Sequence, residues 1–146
     1  MAEALPAGTS GMAAVLNTEA SVIREVCEEV RTIGVCEIAN YNCPGQIVIS
    51  GQKAAVEAAT EKLKERGARR VIPLAVSGAF HTSLLQEASQ KLEQVLQTYT
   101  FASPGVPVIA NVSGVQETRD LKEVLKEQIC HSVQFTQGIE TMLAMG

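Results

Sequence analysis

The sequence of 146 residues contains no tryptophan, and only 3% of its residues are aromatic. Proteins that bind nucleic acids use aromatic rings to stack bases and basic patches to neutralise phosphates. Because aromatics are scarce here and the formal net charge is -4, the composition argues against a nucleic-acid partner. No apolar run approaches the roughly 20 residues that span a bilayer, and the first residues lack the pattern of a signal peptide. We therefore expect a cytoplasmic protein with no membrane partner.

Cysteine is also sparse, and no two cysteines have the two-residue spacing that zinc knuckles and redox motifs use. We expect free thiols, with Cys27 and Cys36 in or near the core because they fall in apolar patterns. Cys130 and His131 are adjacent, which on a helix separates them by about 100° and does not aim both at one metal ion. The sequence therefore predicts no metal site.

The first half of the chain alternates extended and helical patterns, and its 46% overall hydrophobic content is enough for a real core. The predicted order is strand, helix, strand, strand, helix, strand. The strands are expected at residues 12–17, 35–41, 46–50 and 69–74. The first helix is expected from Thr18 to Gly34, and its apolar face comprises Val22, Val26, Val30 and Ile33. The apolar face of the second helix comprises Ala55, Val56, Ala59 and Leu63. This order predicts a ferredoxin-like subdomain over residues 12–76 that is able to fold alone.

The second half, residues 77–146, has a different pattern. It predicts a long helix after residue 82, a proline-bounded strand at residues 106–112 and two further helices. The apolar positions are Leu85, Ala88, Leu92, Val95 and Tyr99 in the first helix, Leu121, Val124, Leu125 and Ile129 in the second, and Ile139, Met142 and Leu143 in the third. Since one strand cannot form a parallel sheet by itself, this half indicates an incomplete piece of a larger α/β domain.

One of the two histidines, His81, follows the apolar run at residues 70–76, which we expect to be a buried strand. Gly78 frees the backbone to turn there, and Thr82 or Ser83 can cap the next helix. This arrangement predicts that His81 lies where a strand ends, where a neutral imidazole can take a proton from a hydroxyl or thiol nucleophile. The alternative is a loop histidine with a satisfied hydrogen bond and no chemistry.

Four segments resemble, in the same order, bacterial malonyl-CoA:acyl carrier protein transacylases of type II fatty acid synthesis. They are Gly8-Thr9-Ser10-Gly11-Met12-Ala13-Ala14-Val15, Ala39-Asn40-Tyr41-Asn42-Cys43-Pro44-Gly45-Gln46-Ile47-Val48-Ile49-Ser50-Gly51, Val76-Ser77-Gly78-Ala79-Phe80-His81, and Ser132-Val133-Gln134-Phe135. The resemblance spans almost the whole chain. It implies a ferredoxin-like subdomain inserted in an α/β-hydrolase-like acyltransferase domain.

The resemblance also implies roles for single residues. His81 matches the family's general base, and Gln134 matches the residue whose main-chain carbonyl orients that base. The family's nucleophile is a serine in a Gly-x-Ser-x-Gly elbow, a motif that is absent from these 146 residues. Ser10, Ser77 and Ser83 are no substitute, since none lies in such an elbow. We therefore expect a C-terminal part of the enzyme that is inactive alone.

The activity implied is transfer of a malonyl group from coenzyme A to acyl carrier protein, with no cofactor; malonyl-CoA and the phosphopantetheine arm of the carrier are the substrates. Phe80 favours malonyl over branched acyl groups, and Asn40 and Asn42 match a loop near the family's active site, although both are also ordinary turn formers. A basic run is a candidate docking surface for the acidic carrier, or else a solvated helix face; it comprises Lys62, Lys64, Arg66, Arg69 and Arg70. We also expect self-association through the face that holds Leu85, Leu92 and Val108.

Two other hypotheses stay open on the sequence alone. The first is a non-catalytic ferredoxin-like module that binds a small molecule or a partner, since the fold does not determine the function. The second is a thiol enzyme in which Cys43 pairs with His81. The turn around Cys43 offers no helix N-terminus to lower the pKa of its thiol, which argues against this second hypothesis.

Overall fold

The structure is a computed structural model that describes residues 4–76 and 78–146. Ser77, which falls in the predicted turn before His81, lies outside the described residues, as does Met1. Short 3-10 turns occur at Val30–Thr32 and Ser83–Leu85. The other elements are, in chain order, β1 (Ser10–Leu16), α1 (Ala20–Glu29), β2 (Cys36–Cys43), β3 (Gln46–Gln52), α2 (Lys53–Glu65), β4 (Arg70–Pro73), α3 (Gln86–Leu96), α4 (Leu121–Gln128) and α5 (Phe135–Met145).

The four strands β1 to β4 form one antiparallel sheet with the spatial order β2-β3-β1-β4. In its register Met12 faces Ser50 across the β1 and β3 pair, and Ala14 faces Ile72 across the β1 and β4 pair. The hairpin between β2 and β3 turns at Pro44 and Gly45, where Gly45 has a φ of 79° that glycine adopts without strain. The predicted ferredoxin-like order is confirmed, while the division of the chain at residues 76 and 77 stays a prediction.

The main core lies between this sheet and the helices α1 and α2. The alternating residues Ala13 and Val15 of β1 point into it, because successive side chains of a strand face opposite sides. Helix α2 contributes the predicted face, which is buried throughout: Ala55, Val56, Ala59 and Leu63. Leu63 has no exposed surface at all, which confirms its predicted place in the core.

The predicted apolar face of α1 is partly wrong. Val26 and Val30 are buried as expected, but Ile23 and Cys27 complete the buried face and Val22 lies at its edge. Ile33 is 54% exposed, because the α-helix ends at Glu29 and the following 3-10 turn changes the helical period.

The opposite face of the sheet carries a smaller cluster of buried apolar side chains. It consists of Met12, Ala14, Ala39 and Val48, and the ring of Phe80 packs against it. The segment that precedes α3 therefore crosses the sheet on the side away from α1 and α2. Because Phe80 directly precedes His81, its packing on this cluster fixes the position of His81 relative to the sheet.

Three predictions for the region after α2 are wrong. The run at residues 70–76 is not a buried strand, since β4 is an edge strand that ends at Pro73 and leaves Ile72 and Val76 exposed. Residues 106–112 form no strand and make one isolated bridge, between Ile109 and Gln116. Helix α3 ends at Leu96, before Tyr99, and Val95 lies on its exposed side, so neither residue belongs to the buried face that was predicted for them.

Leu85 is fully buried, so its predicted place on an exposed face is wrong, while Leu92 and Val108 are half-buried and self-association stays a prediction. Exposed apolar side chains are instead concentrated on α5, and they are Phe135, Ile139, Met142, Leu143 and Met145. Helix α4 is capped by Asp120, whose side chain accepts a hydrogen bond from the Lys122 N–H at 2.9 Å. Within the described residues no helix is both long enough and apolar enough to cross a membrane.

Replacing Leu63 with alanine should lower the free energy of unfolding by about 2–5 kcal/mol, since the lost methyl groups leave a cavity in the main core. Urea denaturation of the chain measures this. The matched control is Leu143→Ala, which removes the same atoms from a side chain that is 77% exposed and should cost little. Equal costs for the two variants would contradict the assigned core.

Candidate functional site

His81 lies in the segment between β4 and α3 and has a φ of 58°, in the left-handed region. A residue with a side chain populates that region at a cost of about 1–2 kcal/mol, so the surrounding contacts must hold it there. On one side Phe80 packs on the smaller core cluster. On the other side the fully buried Thr82 donates its hydroxyl to the carbonyl of Ala79 at 2.7 Å. The two neighbours thus fix the backbone of a half-buried histidine.

The imidazole of His81 is oriented by a main-chain carbonyl. Its Nδ1 lies 2.9 Å from the carbonyl oxygen of Gln128, the last residue of α4. The Gln128 carbonyl only accepts hydrogen bonds, and it lies closer to Nδ1, at 2.9 Å, than the donating Gln128 side-chain Nε2 does, at 3.4 Å. The shorter contact therefore favours the neutral ring with its proton on Nδ1, which leaves the lone pair on Nε2 free. The site therefore presents a proton acceptor at Nε2.

The residue predicted to supply this carbonyl, Gln134, is the wrong one. Its N–H donates to the Asn111 carbonyl at 2.6 Å, and its own carbonyl accepts from Gly138 N–H at 2.9 Å inside the first turn of α5. Sequence reasoning could not find Gln128, because a main-chain carbonyl exists at every position and only the path of the chain selects one. The Gln128 side chain adds a hydrogen bond from Nε2 to the carbonyl of His131 at 3.3 Å.

Strand β2 holds the segment that follows Gln128. A bulge in β2 between Ile38 and Asn40 leaves Ala39 without a partner in β3. The Ala39 carbonyl accepts from Val133 N–H at 2.8 Å, and the Val133 carbonyl accepts from Tyr41 N–H at 2.9 Å. Ser132 Oγ also donates to the Ile38 carbonyl. The bulged strand thus binds the end of the loop that presents Gln128 to His81.

Helix α4 is fixed from two more directions. The Ser89 hydroxyl of α3 donates to the Lys126 carbonyl at 2.9 Å, and Lys126 Nζ lies 2.6 Å from Glu93 Oε1. Arg119 lies 2.9 Å from Glu117 Oε2 and 2.8 Å from Glu127 Oε2, so it links the loop before α4 to the residue next to Gln128.

The residues predicted to bind substrate do not all surround His81. Phe80 is adjacent to it, and the half-buried Asn40 makes the bridge between β2 and Val133. Asn42 lies in a separate open hollow that Asn111 and Phe135 also line. The hollow beside His81 is lined instead by residues of α1, β2 and the loop after α4, among them Arg24, Glu28, Glu37, Tyr41, Cys130 and His131. A role for Asn40 or Asn42 in substrate binding stays a prediction.

The predicted basic run is largely paired with carboxylates. Lys62 contacts Glu29 at 3.1 Å, and Arg66 contacts both Glu29 and, at 3.0 Å, Glu25. The hydrogen bond from Lys62 is the main cause that holds the pKa of Glu29 below its ordinary value. Lys64 is 2.8 Å from Glu61, whereas Arg69 and Arg70 are exposed at the start of β4. The positive charge of the run is therefore concentrated at Arg69 and Arg70.

Cysteine chemistry is not supported by the geometry. Cys27 and Cys36 are buried with their sulfurs 3.8 Å apart, and the hydrogen bond between them together with burial raises the pKa of the Cys36 thiol well above its ordinary value. Exposed Cys43 lies in the hairpin, 3.7 Å from Gln46 Oε1, and His81 makes its contacts with Gln128 instead. Across residues 4–76 and 78–146 no three His, Cys, Asp or Glu side chains form a group that could hold a metal ion.

Comparisons with known proteins find similar sequences and similar structures, although no protein-family model matches the chain. A malonyl CoA-acyl carrier protein transacylase from Bacillus subtilis is 46% identical over 149 aligned residues, which cover 100% of this chain and 47% of the relative. The crystal structure of the transacylase of that name from Clostridium perfringens is 40% identical, with a TM-score of 0.97 over 100% of this chain and 46% of that one. A solved complex of a malonyl-transacylase with a type II polyketide-synthase acyl-carrier protein is 36% identical, with a TM-score of 0.95 over 99% and 47% of the two chains.

The fold of the chain is similar to that of the matching half of solved malonyl CoA-acyl carrier protein transacylases. The chain spans about half the length of the curated relatives that it matches. Over its full length it is homologous to the matching half of the malonyl CoA-acyl carrier protein transacylases. The hypothesis of an unrelated non-catalytic module is not favoured by these matches.

The loop before α4 should make the stability of the chain depend on pH. Hydrogen bonds from the Arg119 side chain, and then from its backbone, lower the pKa of Glu117 to about 2. In the unfolded chain the pKa of the same carboxyl is about 4.3, so the unfolded state binds a proton more readily than the folded state does. The stabilisation by Glu117 is thus complete above that unfolded pKa and is lost as the pH falls toward the folded one.

We therefore expect Glu117→Gln to lower the free energy of unfolding at neutral pH and to weaken its decline in acid. Denaturant unfolding at a series of pH values from neutral down to about 2 measures both effects. Glu140→Gln, at an exposed position of α5, is the control for loss of one carboxylate. Identical pH profiles for Glu117→Gln and the unmodified chain would contradict the assignment.

Proposed function

We propose that this chain supplies the general base of a malonyl-CoA:acyl carrier protein transacylase, an enzyme of fatty acid biosynthesis. The observation that carries the proposal is the imidazole of His81, oriented by the Gln128 carbonyl at 2.9 Å. The name of the relatives supplies the substrates, malonyl-CoA and acyl carrier protein. The substrates carry the reacting groups, so the reaction needs no cofactor.

In this proposal His81 removes the proton from a serine hydroxyl through Nε2, and the serine oxygen attacks the malonyl thioester. The Gln128 carbonyl keeps the Nδ1–H in place and stabilises the positive charge that forms on the ring. The imidazolium then returns the proton to the sulfur of the departing coenzyme A. In the second half His81 takes the proton from the pantetheine thiol of the carrier, which attacks the malonyl-serine ester, and returns it to the serine.

The serine itself must come from outside these 146 residues, which contain no Gly-x-Ser-x-Gly elbow. The part of the relatives that this chain does not match is the source that the proposal requires. We therefore expect no acyl transfer by these residues alone, because covalent transfer needs a nucleophile as well as a base.

Selectivity for malonyl is assigned to Phe80. Its ring packs on the smaller core cluster, which holds it in place, and it lies so close to Gly78 that a Cβ added there would be 2.6 Å from the Phe80 Cε1 atom. A fixed ring beside the base excludes an acyl group that carries a branch methyl, a discrimination of about 1–3 kcal/mol for one methylene-sized group.

A cytoplasmic location is part of the same proposal. It is supported by the cysteine usage of the sequence, since its four cysteines do not have the paired spacing of the disulfide frameworks that secreted domains use.

The test is a chimera in which this chain replaces the matching half of the Bacillus subtilis relative. The chimera should transfer malonyl from malonyl-CoA to acyl carrier protein, and His81→Ala should lower kcat by at least about 100-fold through loss of the general base. Thioester formation on the carrier is measured directly. The control is His131→Ala, which removes an exposed imidazole whose Nδ1 lies 2.7 Å from the Glu127 carbonyl. Turnover by His81→Ala equal to that of the control would refute the proposal.

We infer that the carrier docks at the exposed pair Arg69 and Arg70, because the other cations of the basic run are engaged with carboxylates. Acyl carrier proteins are acidic, and opposite charges speed and orient such encounters. Charge reversal of both arginines to glutamate in the chimera should raise KM for the carrier by about tenfold at low salt, with kcat unchanged and a smaller effect at high salt.

The matched control reverses Lys53 and Lys91, two exposed cations on α2 and α3. It changes the net charge by the same amount at other places on the surface. Steady-state kinetics with the carrier as the varied substrate compare the two variants. A rise in KM of the same size in both would show a general charge effect and exclude docking at Arg69 and Arg70.

A further inference from the structure

Glu37 connects β2 to the segment that bears His81. Its neighbours Cys36 and Ile38 face the main core, so Glu37 lies on the opposite face of the strand, the side on which Phe80 packs. From there the carboxylate reaches Ser83, two residues after His81. Glu37 Oε2 accepts from the Ser83 N–H at 2.9 Å, and Oε1 accepts from the Ser83 hydroxyl at 2.6 Å.

These two hydrogen bonds restrain the chain on the C-terminal side of His81, whose backbone lies in the left-handed region. His81 has a φ of 58°, and its ring meets the Gln128 carbonyl only if that backbone conformation is kept. Phe80 fixes the segment before His81 through apolar packing, while Thr82 and Ser83 fix it afterwards through hydrogen bonds. Among the residues that the structure describes, the bonds from Ser83 to Glu37 attach this second side to the sheet.

The same strand also holds the partner of His81. Residues next to Glu37 in β2 bind Ser132 and Val133, which follow the loop that presents the Gln128 carbonyl. A shift of Ser83 away from β2 would therefore move the imidazole relative to its acceptor, whose own attachment to β2 would not change.

We propose that Glu37 is a positioning residue for the base His81, acting through Ser83 to hold the imidazole with Nδ1 on the Gln128 carbonyl. The word base rests on the proposed function, whereas the positioning is a property of the folded chain. Glu37 acts as a hydrogen-bond acceptor toward the backbone and hydroxyl of Ser83, and it takes no proton in the reaction. Without Glu37 the backbone at His81 is less restrained. The ring can then move away from the Gln128 carbonyl, and its proton can move from Nδ1 to Nε2.

The experiment is NMR of the 146-residue chain with 15N-labelled histidine and backbone. Long-range 15N–1H correlations give the share of His81 rings protonated at Nδ1, and amide hydrogen exchange gives the protection of the Ser83 N–H. Glu37→Ala should lower that protection by about tenfold or more, which converts to about 1.4 kcal/mol. It should also shift His81 toward the Nε2–H form.

Two variants sharpen the result. Glu37→Gln keeps one oxygen that can accept the Ser83 N–H, so it should retain more of the protection and of the Nδ1–H form than Glu37→Ala. Glu28→Gln removes a carboxylate from the same hollow beside His81 without touching Ser83, and it should change neither readout. A folded Glu37→Ala chain with an unchanged His81 ring form would overturn the proposal.

If Glu37→Ala does not fold, Ser83→Ala decides the matter by the same measurement, since it removes only the hydroxyl contact. A smaller shift of His81 toward the Nε2–H form supports positioning through Ser83, and no shift overturns it. Because neither readout needs acyl transfer, an inactive chimera would sink the proposed function and leave this result standing.

Discussion

The hydrogen bond between His81 Nδ1 and the Gln128 carbonyl is the interaction on which the site depends. The two segments that carry these partners are both hydrogen-bonded to the bulged strand β2. The loop with Gln128 is attached through Ser132 and Val133, and the segment with His81 is attached through Glu37 and Ser83. An edge strand of a small sheet thus sets the geometry between two loops that are 47 residues apart in sequence.

A neutral carbonyl suits this position for an electrostatic reason. It favours the Nδ1–H form of the ring as a carboxylate would, but it adds no full negative charge beside the acidic malonyl group that the proposed function brings to the site. The carbonyl at the end of α4 also carries the negative end of the helix dipole, which favours the imidazolium formed during proton transfer.

The sequence predicts the small sheet well because its signals are local. The short apolar run of β1, the helical spacing from Ala55 to Leu63 and the glycine turn at Gly45 each predict one element, and the order of these elements predicts the topology that the sheet has. The region after β4 is predicted less well. The apolar pattern at residues 106–112 is typical of a strand, but the backbone there bonds mainly to nearby residues, with the Ala110 N–H donating to the Val115 carbonyl and the Glu117 N–H to the Val108 carbonyl. His81 was recognisable from its motif, whereas Gln128 acts through its backbone and Glu37 through a contact 46 residues away.

The most direct test of this account is the protonation pattern of the His81 ring in the unmodified chain above the pH at which the imidazole becomes neutral. Long-range 15N–1H NMR distinguishes the nitrogen that carries the proton from the one that does not. The account predicts a proton on Nδ1, with slow exchange because of its bond to Gln128, and an unprotonated Nε2. A ring with its proton on Nε2, or the mixture of both forms that free imidazole shows in water, would contradict it.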